Sequence, residues 1–195
     1  MGLRFPHDVG IASDIEPEII RLEGPKIQNR TMRYTPDQQG KVWDVGAAGA
    51  VVHEGRVLLV RKTYGAAKGM WSLPGGFAQH EELLDEAAVR EVLEETGVQA
   101  EVLSLISVRT RYEPEGGAVF VIFRMRPLGG ELRPDGTEID AVRYFSAEEL
   151  SALGEREILP LTRSAALTAL SAAPGLAQVD LPASGAGPYH AFMAR

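Results

Sequence analysis

One unbroken stretch, residues 76–98, constrains this chain more than any other. It reads Gly76, five residues, Glu82, seven residues, then Arg90-Glu91-Val92-Leu93-Glu94-Glu95-Thr96-Gly97-Val98, with Leu73-Pro74-Gly75 just upstream. Pro74, Gly75 and Gly76 oppose helix and predict an entry loop. Glu81, Glu82, Asp85 and Glu86 load the first turns with negative charge, which complements the positive end of a helix dipole. Residues 82–96 contain no Gly or Pro, and Gly97 supplies the left-handed residue on which helices end. The pattern predicts a helix over 82–96, followed by a strand from Val98.

At about 100° per residue, Leu84, Ala87, Ala88, Glu91, Glu94 and Glu95 share one side of that helix. The face starts as small apolar residues and continues as three carboxylates. Crowded or buried like charges are costly unless neutralised. A hard divalent cation such as Mg²⁺ or Mn²⁺, which takes oxygen ligands, neutralises them economically. Glu91 and Glu94 are i,i+3 and Glu91 and Glu95 are i,i+4, so all three can converge on one ion cluster. Arg90 is one turn from Glu86 and Glu94 and can orient a carboxylate. The competing reading is an ordinary acidic amphipathic helix with i,i+4 ion pairs on a solvated face.

Taken over its whole length, the segment resembles the Nudix box, with every defining position matched without a gap. The likeness is strongest over 73–98, and the flanking strands at 43–62 and 98–145 are compatible with it. It implies an α/β fold, an α/β/α sandwich around a central mixed β-sheet, and cleavage of a pyrophosphate linkage in a nucleoside diphosphate joined to another moiety. It also implies Mg²⁺ or Mn²⁺ as cofactor, Glu91, Glu94 and Glu95 as metal ligands, and the Gly76 carbonyl as a candidate backbone ligand. Glu82 and Arg90 become the pair that holds loop and helix in register. Several family members carry a further carboxylate, as ligand or general base, in the loop before a late strand. Glu138 matches by position, with Glu94 as the rival base and Glu113 and Glu115 as lesser candidates. A proline about as far past the box as Pro114 is a mark of ADP-ribose pyrophosphatases.

The chemistry is coherent without the family. A pyrophosphate repels hydroxide, and metal ions neutralise its oxygens, acidify a water and align it with phosphorus. Phosphoryl transfer asks mainly for positioning and charge stabilisation. With water as nucleophile no Ser or Cys is needed, and the chain has no Cys. That absence excludes disulfides and thiolate metal sites, and it weighs against the related isopentenyl diphosphate isomerases. The net charge of −7 makes a poor nucleic-acid binder. The expected partner is a small nucleotide, so metals and a few local cations must invert the potential of the cleft. No apolar run is long enough for a signal peptide or a membrane span, which leaves the cytoplasm as the default compartment.

The 195 residues suit one domain with extensions. Residues 1–40, punctuated by Pro6, Pro17, Pro25 and Pro36, predict an arm, either lying on the surface or pairing with a second copy in a homodimer. The Nudix-like domain is expected over 41–170. Strands are expected at 42–53 and 56–61 as a hairpin, at 98–108, at 118–126 and at 139–145. Arg61 and Lys62 leave the second strand and read as solvated cations, although either could reach a phosphate. Trp71, next to the box, either stacks on a base or seals the core. Residues 109–117 read as a polar loop in which Arg109 or Arg111 clamps a phosphate and Tyr112 stacks on a base. Ser146-Ala147-Glu148-Glu149 is a capping box, and 158–170 a second packing helix. Residues 171–195, rich in Ala, Gly and Pro, predict a loosely packed tail, with Tyr189, His190 and Phe192 available to dock it. Two functions compete: a metal-dependent hydrolase, and a non-hydrolytic nucleotide sensor of the same fold. Retention of every box carboxylate favours the first.

Overall fold

A computed structural model describes residues 42–113, 116–171, 173–179 and 190–194. The arm at 1–40, Pro114, Glu115 and Tyr189 lie outside them. Strand β1 (Val42–His53) turns through Glu54-Gly55 into β2 (Arg56–Lys62). Two short strands, β3 (Trp71–Ser72) and β4 (Gly75–Phe77), precede helix α1 (Leu84–Thr96). A long hairpin follows, β5 (Val98–Glu113) with β6 (Gly116–Gly130), then β7 (Ile139–Phe145) and helices α2 (Ala147–Ala152) and α3 (Pro160–Leu170). Strands β8 (Ala177–Val179) and β9 (Ala191–Met193) pair with each other.

The main sheet runs β3-β2-β1-β6-β5, with β4 also on β1 and β7 also on β2. The β1–β6 pair is parallel and the others antiparallel, so the sheet is mixed. Alternation along the strands sends successive side chains to opposite faces. Ala47, Val51, Val121, Phe123 and Met125 pack under Ala87, Ala88 and Val92 of α1. Ala48, Ala50, Val57, Leu59 and Ile122 pack under Leu150 of α2 and Ala165, Ala166 and Ala169 of α3. The result is a sheet between helices, an α/β/α sandwich.

Four sequence expectations change. The first helix begins at Leu84, and Glu82 belongs to the loop before it. Residues 109–113 are the outer half of β5, paired with β6 through Glu113↔Gly116. Thr110, Arg111 and Tyr112 are exposed, so this part of the hairpin lacks the apolar alternation that marks a buried strand. Lys62 is a buried ion-pair partner, with its side chain only 11% exposed. The described tail residues are packed: Leu105 and Leu176 exchange backbone hydrogen bonds of 2.9 Å, and the Phe192 ring lies 5.2 Å from that of Phe123. His190 Nδ1 lies 2.6 Å from Asp85 Oδ2 at the start of α1.

Candidate active site

Helix α1 is fixed at both ends. Glu86 accepts the Leu83 N–H at 3.0 Å, and Gly97 adopts φ +72° while its N–H reaches Leu93 O at 2.9 Å. The loop that enters α1 is fixed too: β4 pairs Gly75 and Gly76 with Ala48 and Ala47, and Gly49 N–H donates to Pro74 O at 3.0 Å. The box carboxylates therefore meet a backbone that cannot drift.

Arg90 gathers one group. Its Nε and Nη2 fork onto Glu82 at 2.8 and 3.0 Å. Nη1 reaches Glu91 at 2.7 Å and Glu94 at 3.1 Å, and Nη2 also donates to Phe77 O at 3.2 Å. Glu82 in turn accepts the Gln79 N–H at 2.9 Å. The Arg90 contact holds the Glu82 carboxyl below the usual carboxylate range, and its carboxylates raise Arg90 in return. The Glu91 carboxylate rests on Gly76, where any Cβ would stand 2.6 Å from Oε1. A side chain there would push the Glu91 carboxylate aside.

A second group surrounds Glu95, which is 4% exposed. One carboxylate oxygen accepts from Lys62 Nζ, and the other accepts the Gly75 N–H at 3.0 Å. Burial pushes the Glu95 carboxyl up to about 6, against the opposing pull of Lys62 and the Gly75 N–H. Lys62 also donates to the Gly75 carbonyl at 3.3 Å. An ammonium thus sits between a carboxylate and a carbonyl, the oxygen donors that a hard divalent ion takes.

Two further residues join this group. Thr63 N–H donates to the Glu138 carbonyl at 2.8 Å, and Thr63 Oγ1 donates to Thr137 O at 2.8 Å, so the loop before β7 is tied to the exit of β2. The Tyr64 ring lies 5.9 Å from Lys62 Nζ. Burial first, then Glu138, Glu95 and Glu91, push the phenol up to about 12. The phenol thus feels negative charge from the loop before β7 and from the helix. Neither Tyr64 nor the Lys62 contact was legible in the sequence. A tyrosine and a lysine just past a strand end carry no motif, and their partners are distant in the chain.

The substrate candidates divide. Arg109 lies with its guanidinium 5.6 Å from the centre of the Phe120 ring. A Cβ on Gly46 would stand 2.8 Å from that ring and 2.7 Å from Gly76 O, so Arg109 flanks the box loop through Phe120. Arg111 shares the face of Arg109 but lies farther out, while Tyr112, 71% exposed, points to the other face. Trp71 meets Phe145 edge-on at 4.7 Å and packs against the core.

Among the described residues, no three His, Asp or Glu side chains form a ready metal shell. The reason is local: Arg90 holds Glu91 and Glu94, and Lys62 holds Glu95. The donors nonetheless fit a hard cation in kind, as the Gly76 cradle and the seated ammonium show.

The NUDIX domain family model matches residues 44–163, more than half of the chain. The chain belongs to the Nudix family. An ADP-ribose pyrophosphatase of Methanocaldococcus jannaschii is 32% identical over 111 residues, covering 56% of this chain and 65% of that protein. The nucleoside diphosphate-linked moiety X motif 6 protein of Homo sapiens is 40% identical over 88 residues, covering 43% and 28% respectively. The chain thus spans less than two thirds of either relative's length. The crystal structure of a MutT NUDIX hydrolase from Burkholderia pseudomallei superposes with a TM-score of 0.58 at 26% identity, covering 66% of this chain and 98% of that one. The Nudix match takes in both cation–carboxylate groups, Tyr64 and Glu138, and leaves β8 and β9 outside. No helix among the described residues is long and apolar enough to cross a membrane.

Proposed function

We propose that this Nudix protein hydrolyses the pyrophosphate linkage of a nucleoside diphosphate joined to another moiety, with Mg²⁺ or Mn²⁺ as cofactor. The observation that carries the proposal is the seating of Glu91 and Glu95 against the Gly75–Gly76 loop, with Glu94 beside them on Arg90. In this reading Glu91, Glu94 and Glu95 supply the carboxylate donors, with a backbone carbonyl of Gly75 or Gly76. A bound divalent ion would supply Lewis acidity and charge neutralisation at the phosphates. Glu138 or Glu94 accepts the proton of the attacking water. That water forms a bond to one phosphorus, the bond from that phosphorus to the bridging oxygen breaks, and both products leave as phosphate monoesters. Glu82 and Arg90 hold the loop and helix in register, and Arg109 lies where it can meet the phosphates.

ADP-ribose or a nucleotide sugar is the first substrate to test, in line with the name of the archaeal relative. Dinucleoside polyphosphates and nucleoside triphosphates follow. The experiment is a substrate panel with each metal, in isotopically labelled water, with products read by mass. The expected result for ADP-ribose is AMP plus a phosphorylated ribose, with the label in one of them. Tight ADP-ribose binding without turnover under either metal would instead make the protein a nucleotide sensor.

A further inference from the structure

Lys62 stands where the proposed chemistry needs a divalent cation. Its ammonium touches Glu95 and donates to Gly75 O at 3.3 Å, and its side chain is 11% exposed. Both Glu95 oxygens are engaged, one by the ammonium and one by the Gly75 N–H at 3.0 Å. A divalent ion on the first oxygen would have to share it with the ammonium. Two cations crowded onto the same donors would also repel each other across a desolvated gap. The contacts of Lys62 are few and simple. Its charge is compact, it sits on a flexible stem, and it makes no forked pair that would lock it in place. The Tyr64 ring lies 5.9 Å from Nζ.

We infer that Lys62 is an exchangeable cation. It neutralises Glu95 in the metal-free protein, yields that carboxylate to the divalent ion, and turns to a phosphate of the bound nucleotide. The second half of this inference rests on the function proposed above, while the first half does not. Exchange explains how a carboxylate this buried is kept paired before metal arrives, since an unpaired buried charge is expensive. It also couples the two loading steps, because the ion that occupies Glu95 releases the cation that the substrate needs.

The test is Mn²⁺ titration of the substrate-free protein by calorimetry, comparing wild type with Lys62→Met and Lys62→Arg. Lys62→Met is expected to bind Mn²⁺ about tenfold more tightly, because the ion no longer displaces an ammonium. Lys62→Arg keeps the charge and the fold but offers a fork to Glu95, so it is expected to bind Mn²⁺ more weakly than wild type. Unchanged or weaker binding by Lys62→Met, with a native circular dichroism spectrum, would overturn the exchange. If Lys62→Met does not fold, Lys62→Arg decides, and wild-type Mn²⁺ affinity there overturns it too. In steady state Lys62→Met should raise KM for the nucleotide far more than it lowers kcat. An unchanged KM would overturn the phosphate-binding half. The titration needs no turnover, so it reads the exchange even if no substrate in the panel is cleaved.

Discussion

The two cation–carboxylate groups on α1 solve one problem in opposite ways. Around Arg90, a planar guanidinium serves Glu82, Glu91, Glu94 and the Phe77 carbonyl at once. Around Lys62, a single point charge serves Glu95 and one carbonyl. Arginine fixes geometry because its donors are forked and several partners must be lost together. Lysine fixes charge but little geometry, and it can leave. A site that must hold its frame and also accept a cation has use for one of each.

The largest expected effect comes from removing the charge at the exchangeable group. Glu95→Gln should lower hydrolysis by about a thousandfold or more, about 4 kcal/mol in the barrier, while far-ultraviolet circular dichroism stays native. Turnover equal to wild type, assayed by product formation, would demote the Lys62–Glu95 group to scaffold. Breaking the rigid group comes next. Arg90→Lys keeps the charge but cannot fork onto Glu82, and should cost about 2–3 kcal/mol in urea unfolding.

Acidity then separates the two groups by sign. Burial lifts the Glu95 carboxyl to about 6 from its ordinary 4.5, so its contribution to stability is fully present below 4.5 and is lost as pH rises through 6. At 1.36 kcal/mol per unit this amounts to about 2 kcal/mol. Glu82 is lowered by Arg90, so its contribution is present above 4.5 and is lost as pH falls. Unfolding measured in chelator between pH 4.5 and 7, for wild type against Glu95→Gln, should show wild type losing ground as pH rises. A flat difference would mean that Glu95 is not strained by burial. The smallest effect is expected from Tyr64→Phe, which deletes a hydroxyl whose acidity is suppressed by burial and by Glu138. It should cost about 1 kcal/mol or less in stability, and change kcat only severalfold if Glu138 is the base.

Much of this frame was written locally in the chain. Gly97 ended α1 as its position required, and Ser146 and Glu149 formed their reciprocal cap, with Ser146 N–H to Glu149 at 2.8 Å and Glu149 N–H to Ser146 at 3.2 Å. The Glu82–Arg90 pair met across a loop and two helical turns. What stayed hidden depended on contacts between distant segments. Lys62 read as solvated because nothing near it in sequence announces Glu95, thirty-three positions on. Arg109, Arg111 and Tyr112 read as a loop because both faces of that strand are polar, yet β6 supplies the hydrogen bonds that keep it extended. The tail composition suggested looseness, but Phe192 finds an aromatic partner in Phe123.

That last contact bears on how the protein is handled at the bench. Cutting the chain just after α3 would remove β8 and β9, strip the cover from Phe123 and leave Asp85 without its imidazole. The shortened protein would show a greasy scar beside the very helix that bears the chemistry. Such a fragment is expected to clump on concentration, so poor behaviour of the trimmed molecule would say nothing against its catalytic parts.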